Sequence, residues 1–490
     1  MNAYDYFLSN SKKLDKDFIL GPKEKISYKN LHQNCNNLAE YLRNTYGEKN
    51  NILLISPNSV FCVTVYLAII KSGNICVPIN PEIETNNLNF IINICKAKYI
   101  FITSNLQNKF DLDQYTLINE NDISNIFNSS VKNDQPDINQ NSFDENSLAE
   151  IIFTSGSTGE PKGVMISHKN LIANTDSIIE YLKLSSDDII EIVLPFYYCY
   201  GLSLLHTHLK VGGSVVLNNA FIFIGSVIND LKKYKCTGFA GVPSHFQILL
   251  RKTKSFKTTD LPDLKYVTQA GGKLHRIFIQ EFVDSFPNVK FYVMYGQTEA
   301  TARLSYLPPE MLNKKMGSMG IAIPGVILDV YNDKGQPAKT GEVGEIVAKG
   351  DNIMSGYLED SETTNKILKY GWLYTGDLAY KDKDGYFFHT ARKKEIIKVG
   401  GKRISPKEIE EVIVSIPEVV DCTIEGSYDD VLGEAIKAKI IVGNLKSNIL
   451  TKKSVQEYCA CKLANFKVPQ IIEFEDKIKV AATGKKVKKT

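Results

Sequence analysis

The sequence has little that a nucleic acid or a membrane could hold. Its net charge is only +3 over 490 residues, too small an imbalance for the basic field that a polyphosphate backbone recruits. The longest strongly apolar run, Val60 to Ile70, is about half the roughly 20 residues needed to cross a bilayer. The N-terminal stretch MNAYDYFLSNSKKLDKD lacks the apolar core of a secretory signal. The nine cysteines have no metal-type spacing; Cys459 and Cys461 stand one residue apart without a second pair or a histidine cluster. Together these shortages exclude an integral membrane segment, a structural zinc site and a nucleic-acid partner. They predict reduced thiols in a cytoplasmic protein.

What remains is ordinary globular composition, 43% hydrophobic and 23% charged. A single core stops growing at roughly 250–300 residues, so 490 residues imply at least two domains. Charge is uneven between them. From Lys393 onward there are 19 Lys and Arg against 14 Asp and Glu, a net of +5, which leaves −2 on the first 392 residues. A boundary is predicted here, with one domain over 1–392 and a second over 393–490.

Short apolar runs recur through the larger piece: Asn51 to Ser56, Ile75 to Ile79, Tyr99 to Thr103, Ile190 to Leu194 and Ser214 to Leu217. Each reads as a buried strand, with helix-length segments such as Val60 to Lys71 between several of them. That alternation predicts layered α/β subdomains with much parallel sheet. Asn119 to Ser147, rich in Asn, Asp and Ser, reads as a surface connection. After Gly317 the pattern changes to strands at Ile327–Tyr331, Gly344–Ala348 and Gly385–His389, separated by Gly- and Asp-rich turns, which predicts a β-rich subdomain. Ser405-Pro406 opens a helix in a small α+β C-terminal domain.

One stretch carries chemistry by itself. Thr154, Ser155, Gly156, Ser157, Thr158, Gly159, Glu160, Pro161, Lys162 and Gly163 follow the apolar run Ala149 to Phe153. Three glycines allow close backbone approach, four hydroxyls and the backbone N–H groups can surround phosphate oxygens, and Lys162 adds a positive charge. The spacing is not that of a Walker A loop. A strand before it and the helix-like SHKNLIAN after it favour a phosphate loop over a simple flexible turn.

At these residues the chain resembles the adenylate-forming enzymes, which include acyl- and aryl-CoA ligases, nonribosomal peptide adenylation domains and beetle luciferase. The resemblance recurs in family order at Tyr295-Gly296-Gln297-Thr298-Glu299, at Tyr374-Thr375-Gly376-Asp377, at Arg392 to Lys398, at Gly400-Gly401 and Pro406 to Glu410, and at Thr483-Gly484-Lys485. It implies an acid activated as an acyl-adenylate and then passed to a thiol, with Mg2+ as cofactor and ATP and CoA, or a carrier phosphopantetheine, as substrates. It also implies that the C-terminal domain is mobile.

A carboxylate attacking the α-phosphorus of ATP brings two anions together, so the site must neutralise charge and enforce in-line geometry. The resemblance assigns Lys485 to bridge the acid and the α-phosphate, Thr298 to bond that phosphate, and Glu299 to hold the metal. Tyr295 would stack on adenine, flanked by Gly296, with Gly271 and Gly272 close to the base. Asp377 would accept the ribose hydroxyls, supported by Arg392. Lys394 occupies the pivot of the hinge, where the family uses Asp or Lys, Lys398 serves the second half-reaction, and Gly400 and Gly401 approach the thiol tunnel. Lys402 and Arg403 suit phosphates on the thiol's carrier, though a basic solvated face accounts for the charge equally simply.

The acid side departs from the family. Leu194 to Leu202 matches its substrate motif, but Tyr198 stands where many acyl- and aryl-CoA ligases have a gating histidine. Tyr197 stands where peptide-synthetase domains place an aspartate for an amino group, which disfavours an α-amino acid. Tyr197, Tyr198, Gly201, Ser244 and the segment Ala300 to Leu304 are the expected acyl pocket; the clustered aromatics suit core packing as well. Three other functions share the scaffold: loading of a carrier protein, a luciferase-like monooxygenase, and a non-catalytic nucleotide sensor.

Overall fold

The computed structural model describes residues 1–129, 143–154, 160–399, 402–429, 433–443 and 450–475. The continuous apolar runs become strands buried on both faces, as central parallel strands require. Asn51–Ile55, Ile75–Ile79 and Tyr99–Ile102 pair in parallel within a seven-stranded sheet. Leu148–Thr154 extends that sheet, followed by the antiparallel Lys162–Ser167 and Gly356–Tyr357. A second, nine-stranded sheet has Asp17–Leu20, Ser214–Leu217, Ile189–Ile192, Gly238–Gly241, Tyr266–Gln269 and Lys290–Tyr295 as its parallel strands.

The helices His168–Leu182 and Cys199–Val211 tie these two sheets together. Leu171, Ile178, Leu202 and Leu205 share one buried cluster with Val164 and Ile166 of the first sheet and Ile190, Ile192 and Val215 of the second. The helix Val60–Lys71 belongs to the same core, and its lack of a polar face explains why it is covered all round. On its other face the nine-stranded sheet packs through Val216, Phe239, Val267 and Phe291 against Phe246, Phe278 and Phe282.

A third, five-stranded sheet is antiparallel and contains Val326–Tyr331, Gly344–Gly350, Trp372–Lys381 and Phe387–Arg392, the β-rich subdomain expected from the turn-rich sequence. A fourth five-stranded sheet lies wholly beyond residue 396, with Gly433–Val442 between Ile397–Val399, Val419–Asp429 and Ile471–Glu475. The helix Pro406–Val414 packs on it with proline in its first turn. The large mixed α/β body and small C-terminal domain are therefore as predicted.

Two local expectations need correction. The segment Asn119 to Ser147 is not a plain connection, because Glu120–Ser129 is a helix. Ile123 is 4% exposed, and Ile126 and Phe127 pack beside it, the i, i+3, i+4 spacing that the Asn-rich composition obscured. The glycine-rich stretch does not run directly into the helix, because an unexpected strand, Lys162–Ser167, pairs antiparallel with Leu148–Thr154 and stands between them. Val164 and Ile166, two residues apart and so on one face of that second strand, are fully buried. The helix itself begins where SHKNLIAN placed it, with Ser167 and Asn170 forming a reciprocal capping box.

Candidate active site

The centre of the site lies where the nine-stranded sheet meets the third sheet. Tyr295 ends the strand Lys290–Tyr295, and its hydroxyl donates to Asp377 Oδ2 at 2.8 Å. Arg392 Nε donates to Asp377 Oδ1 at 3.0 Å, and His389 Nε2 lies 3.6 Å from the same oxygen. Strand register explains this grouping, since Asp377 pairs directly with Arg392 across the ladder. The Asp377 side chain is 7% exposed. Burial pushes its carboxyl up, but His389, Arg392 and Tyr295 outweigh burial and hold it below the ordinary range. Burial and the Asp377 charge in turn push the Tyr295 hydroxyl well above its usual value. Each carboxylate oxygen has two acceptor positions. Tyr295 takes one position on Oδ2, and Arg392 with the more distant His389 faces Oδ1, which leaves Asp377 acceptor capacity for a ribose hydroxyl.

Next to this carboxylate the backbone turns back sharply. Leu304 N donates to Tyr295 O at 2.9 Å, and a Cβ on Gly296 would lie 2.0 Å from Ala302 O. Glycine is therefore required at 296 by the returning chain itself. The short helical turn Thr298–Ala300 is held in this loop. Glu299 Oε1 accepts from Tyr357 OH at 2.7 Å, and Thr298 Oγ1 lies 3.6 Å from Cys199 Sγ. Glu299 Oε2 accepts no hydrogen bond from a described residue. Magnesium usually takes one or two protein carboxylates and fills its octahedron with water and substrate phosphates. No group of three or more His, Cys, Asp or Glu that could hold a metal ion exists among the described residues. A single carboxylate beside a hydroxyl thus fits a metal that arrives with a nucleotide.

Lys162, expected to supply positive charge to phosphates, meets protein partners in this structure. Its Nζ donates to Asp360 Oδ2 at 2.8 Å and to Thr363 Oγ1 at 2.9 Å, with the Tyr357 ring 5.3 Å away. Asp360 also caps the helix Ser361–Ile367 by accepting from Thr363 N, and Lys162 holds its carboxyl down at about 2. Lys162 therefore fastens the hairpin to the residues behind Glu299. Thr154 ends its strand at the base of the same hairpin. Ser155, Gly156, Ser157, Thr158 and Gly159 lie outside the described residues.

Gly271 and Gly272 follow the strand Tyr266–Gln269, and Gln269 Nε2 donates to Gly272 O at 2.7 Å. On the acid side, Tyr197 and Tyr198 sit at the start of the helix Cys199–Val211 with ring centroids 4.8 Å apart. Burial pushes the Tyr198 hydroxyl up to about 12. Gly201 has a packing reason, since a Cβ there would lie 2.2 Å from Pro195 O. Ser244 is 2% exposed on the helix Pro243–Arg251, and Ala300 and Leu304 are wholly buried.

Toward the C-terminal domain, Lys393 Nζ donates to Glu345 Oε2 at 2.6 Å and Ser405 Oγ to Thr390 O at 2.7 Å. Lys394 lies in the turn Lys393–Glu395, and Lys398 is an exposed residue of Ile397–Val399. Glu411 receives His275 Nδ1 at 3.1 Å and Arg276 N at 2.9 Å, which ties the helix Pro406–Val414 to the large domain. Gly400, Gly401 and Lys485 lie outside the described residues. Sequence reading missed His389, Tyr357 and Asp360, all of which contact predicted residues, and gave no role to Cys199 inside the Leu194 to Leu202 motif. Only His389 had a signal, as a neighbour of Arg392 on the strand facing Asp377.

Residues 8–358 match the AMP-binding enzyme family, and residues 408–485 match the AMP-binding enzyme C-terminal domain. An oxalate–CoA ligase of Arabidopsis thaliana is 29% identical over 480 residues, covering 94% of this chain and 92% of that protein. A feruloyl-CoA synthase of Amycolatopsis is 32% identical over 342 residues, covering 69% of this chain and 68% of its own. In fold, the chain superposes on an anthranilate CoA ligase in complex with anthranoyl-AMP with a TM-score of 0.89, at 23% identity, over 99% of this chain and 95% of that one. The chain belongs to the AMP-binding enzyme family.

Proposed function

We propose that this chain is an ATP-dependent acid–CoA ligase. The observation that carries the reading is the buried Asp377, held by Arg392, His389 and by Tyr295, which ends the strand that leads into the Thr298–Ala300 turn. The acid's carboxylate attacks the α-phosphorus of ATP, the bond to the β-phosphate oxygen breaks, and pyrophosphate leaves. The CoA thiolate then attacks the acyl carbon, and AMP leaves.

Asp377 anchors the ribose and Tyr295 the base, which fixes the α-phosphate relative to the acid and contributes through orientation. Thr298 donates its hydroxyl to the α-phosphate. Glu299 is the ligand for magnesium, which when bound neutralises phosphate charge. Lys485 bridges the two reacting anions in the first step. Rotation of the C-terminal domain about Lys394 then replaces Lys485 with the Gly400–Gly401 loop. The domain boundary at 392–393 is part of this proposal.

CoA is favoured as acceptor by relatives named as CoA ligases and by the basic C-terminal domain. The acceptor is tested with a panel of acids, ATP and Mg2+, supplied with either CoA or a phosphopantetheinylated carrier protein. The proposal predicts AMP release and an acyl-CoA mass with free CoA. Turnover confined to the carrier arm would reassign the acceptor. Oxygen-dependent light emission would point to the monooxygenase reading, and ATP binding without turnover in either arm to the sensor.

A further inference from the structure

One charged side chain near the site has no counter-charge among the described residues. Arg303 is 2% exposed, and among the described residues no carboxylate lies within ion-pair distance of it. Its Nε donates to Met294 Sδ at 3.4 Å, its Nη1 to Ala302 O at 3.2 Å, and its Cζ lies 4.1 Å over the Tyr200 ring. The Tyr181 hydroxyl, which donates to Met294 Sδ, is its other polar neighbour. All of these partners are neutral. A guanidinium has five N–H donors and keeps its charge on burial, and a buried charge left with neutral partners is costly.

Its location points at the acid. A Cβ on Gly296 would lie 2.7 Å from Arg303 Cα, so Arg303 begins against the adenylate motif itself. Successive strand residues face opposite ways. Tyr295 reaches Asp377 on the nucleotide side, whereas Arg303 lies with Met294 on the other side. There it rests on Tyr200, the neighbour of Cys199, which touches Thr298. The cation is thus linked through Tyr200 and Cys199 to the turn assigned to the α-phosphate, and lies on the face away from Asp377.

We infer that Arg303 is a specificity-determining residue, and that the acid carries a second carboxylate that pairs with this guanidinium. This rests on the acid–CoA ligase reading. A planar fork of donors suits a carboxylate bidentately, and a substrate anion restores the missing charge balance. The Tyr200 ring already holds the guanidinium plane, so little is lost on ordering it.

The experiment measures pyrophosphate exchange with short aliphatic and aromatic diacids, each beside the monoacid of matching length, for wild type and Arg303→Met. Wild type is expected to prefer the best diacid over its monoacid by about 10- to 100-fold, the range of a charge-assisted hydrogen bond. R303M, which keeps the length and apolar stem, should lower that ratio at least tenfold. Equal or better exchange with every monoacid in wild type would overturn the inference without needing the variant to fold. An unchanged ratio in folded R303M would also overturn it and leave Arg303 a structural residue. Exchange with no acid at all would remove the ligase reading itself, a distinguishable result.

Discussion

Tyr295 and Asp377 are 82 positions apart in the chain and are joined by a 2.8 Å hydrogen bond between a strand end and the facing sheet. Because the tyrosine donates and the carboxylate accepts, the ring and the acceptor are set before any nucleotide arrives. Removing the charge by Asp377→Asn should raise the KM for ATP by about 10- to 100-fold and change kcat less. Tyr295→Phe, which deletes only the hydroxyl, should have the smaller effect. Steady-state kinetics with ATP varied at saturating acid checks both.

The two half-reactions should separate by mutation. Lys485→Ala is expected to slow adenylate formation by at least about 100-fold, as loss of charge neutralisation at the reacting anions would, while thioester formation from supplied acyl-adenylate is much less affected. Gly401→Leu should do the reverse. Single-turnover assays of each step check the pair; loss of the same half-reaction in both variants would contradict the domain-rotation mechanism.

Glu411 fastens the C-terminal domain to His275 and Arg276. Burial raises its carboxyl, but His275, Lys273 and the Arg276 N–H bring it down to about 2 from an ordinary 4.5. A folded-state value below the unfolded one gives stability that is present above the unfolded pKa and is lost as pH falls through the folded one. The wild type should therefore lose stability between about pH 4.5 and pH 2 in part through this group. Glu411→Gln should be less stable at pH 7 and show a flatter acid limb in thermal melts.

Glu150 predicts the opposite slope. It lies fully inside the core, accepts from Tyr66 OH at 2.7 Å, and is pushed up to about 7 by burial. With the folded value above the unfolded 4.5, the cost of ionising it in the core grows as pH climbs from 4.5 toward 7 and is fully present above that. Glu150→Gln should then stabilise the protein by on the order of 2 kcal/mol at pH 8 and have little effect at pH 5, as denaturant melts at the two pH values would show.

How much of this was legible in sequence follows the range of the interactions. Apolar runs such as Asn51 to Ser56 and the first-turn proline of Pro406–Val414 act locally, and their elements stand where they were expected. The helix Glu120–Ser129 was hidden by asparagines that cover a three-residue apolar stripe. In the site, residues with chemical roles could be recognised by motif, but their anchors could not. Tyr357 is 58 positions from Glu299, and Asp360 is 198 from Lys162. Both pairings depend on the strand Gly356–Tyr357 joining the glycine-rich hairpin, a register that no local pattern announces. Arg303 shows the same limit, since a lone arginine in sequence does not reveal that it is buried with no carboxylate partner among the described residues.

The central claim is that an acid is activated as its adenylate at Asp377, Thr298 and Glu299. Exchange of labelled pyrophosphate into ATP, measured across a broad panel of carboxylic acids with Mg2+, tests it most directly. The account predicts exchange that requires an acid and is lost on chelation of the metal. Exchange with none of the acids, by folded protein that still binds ATP, would contradict it.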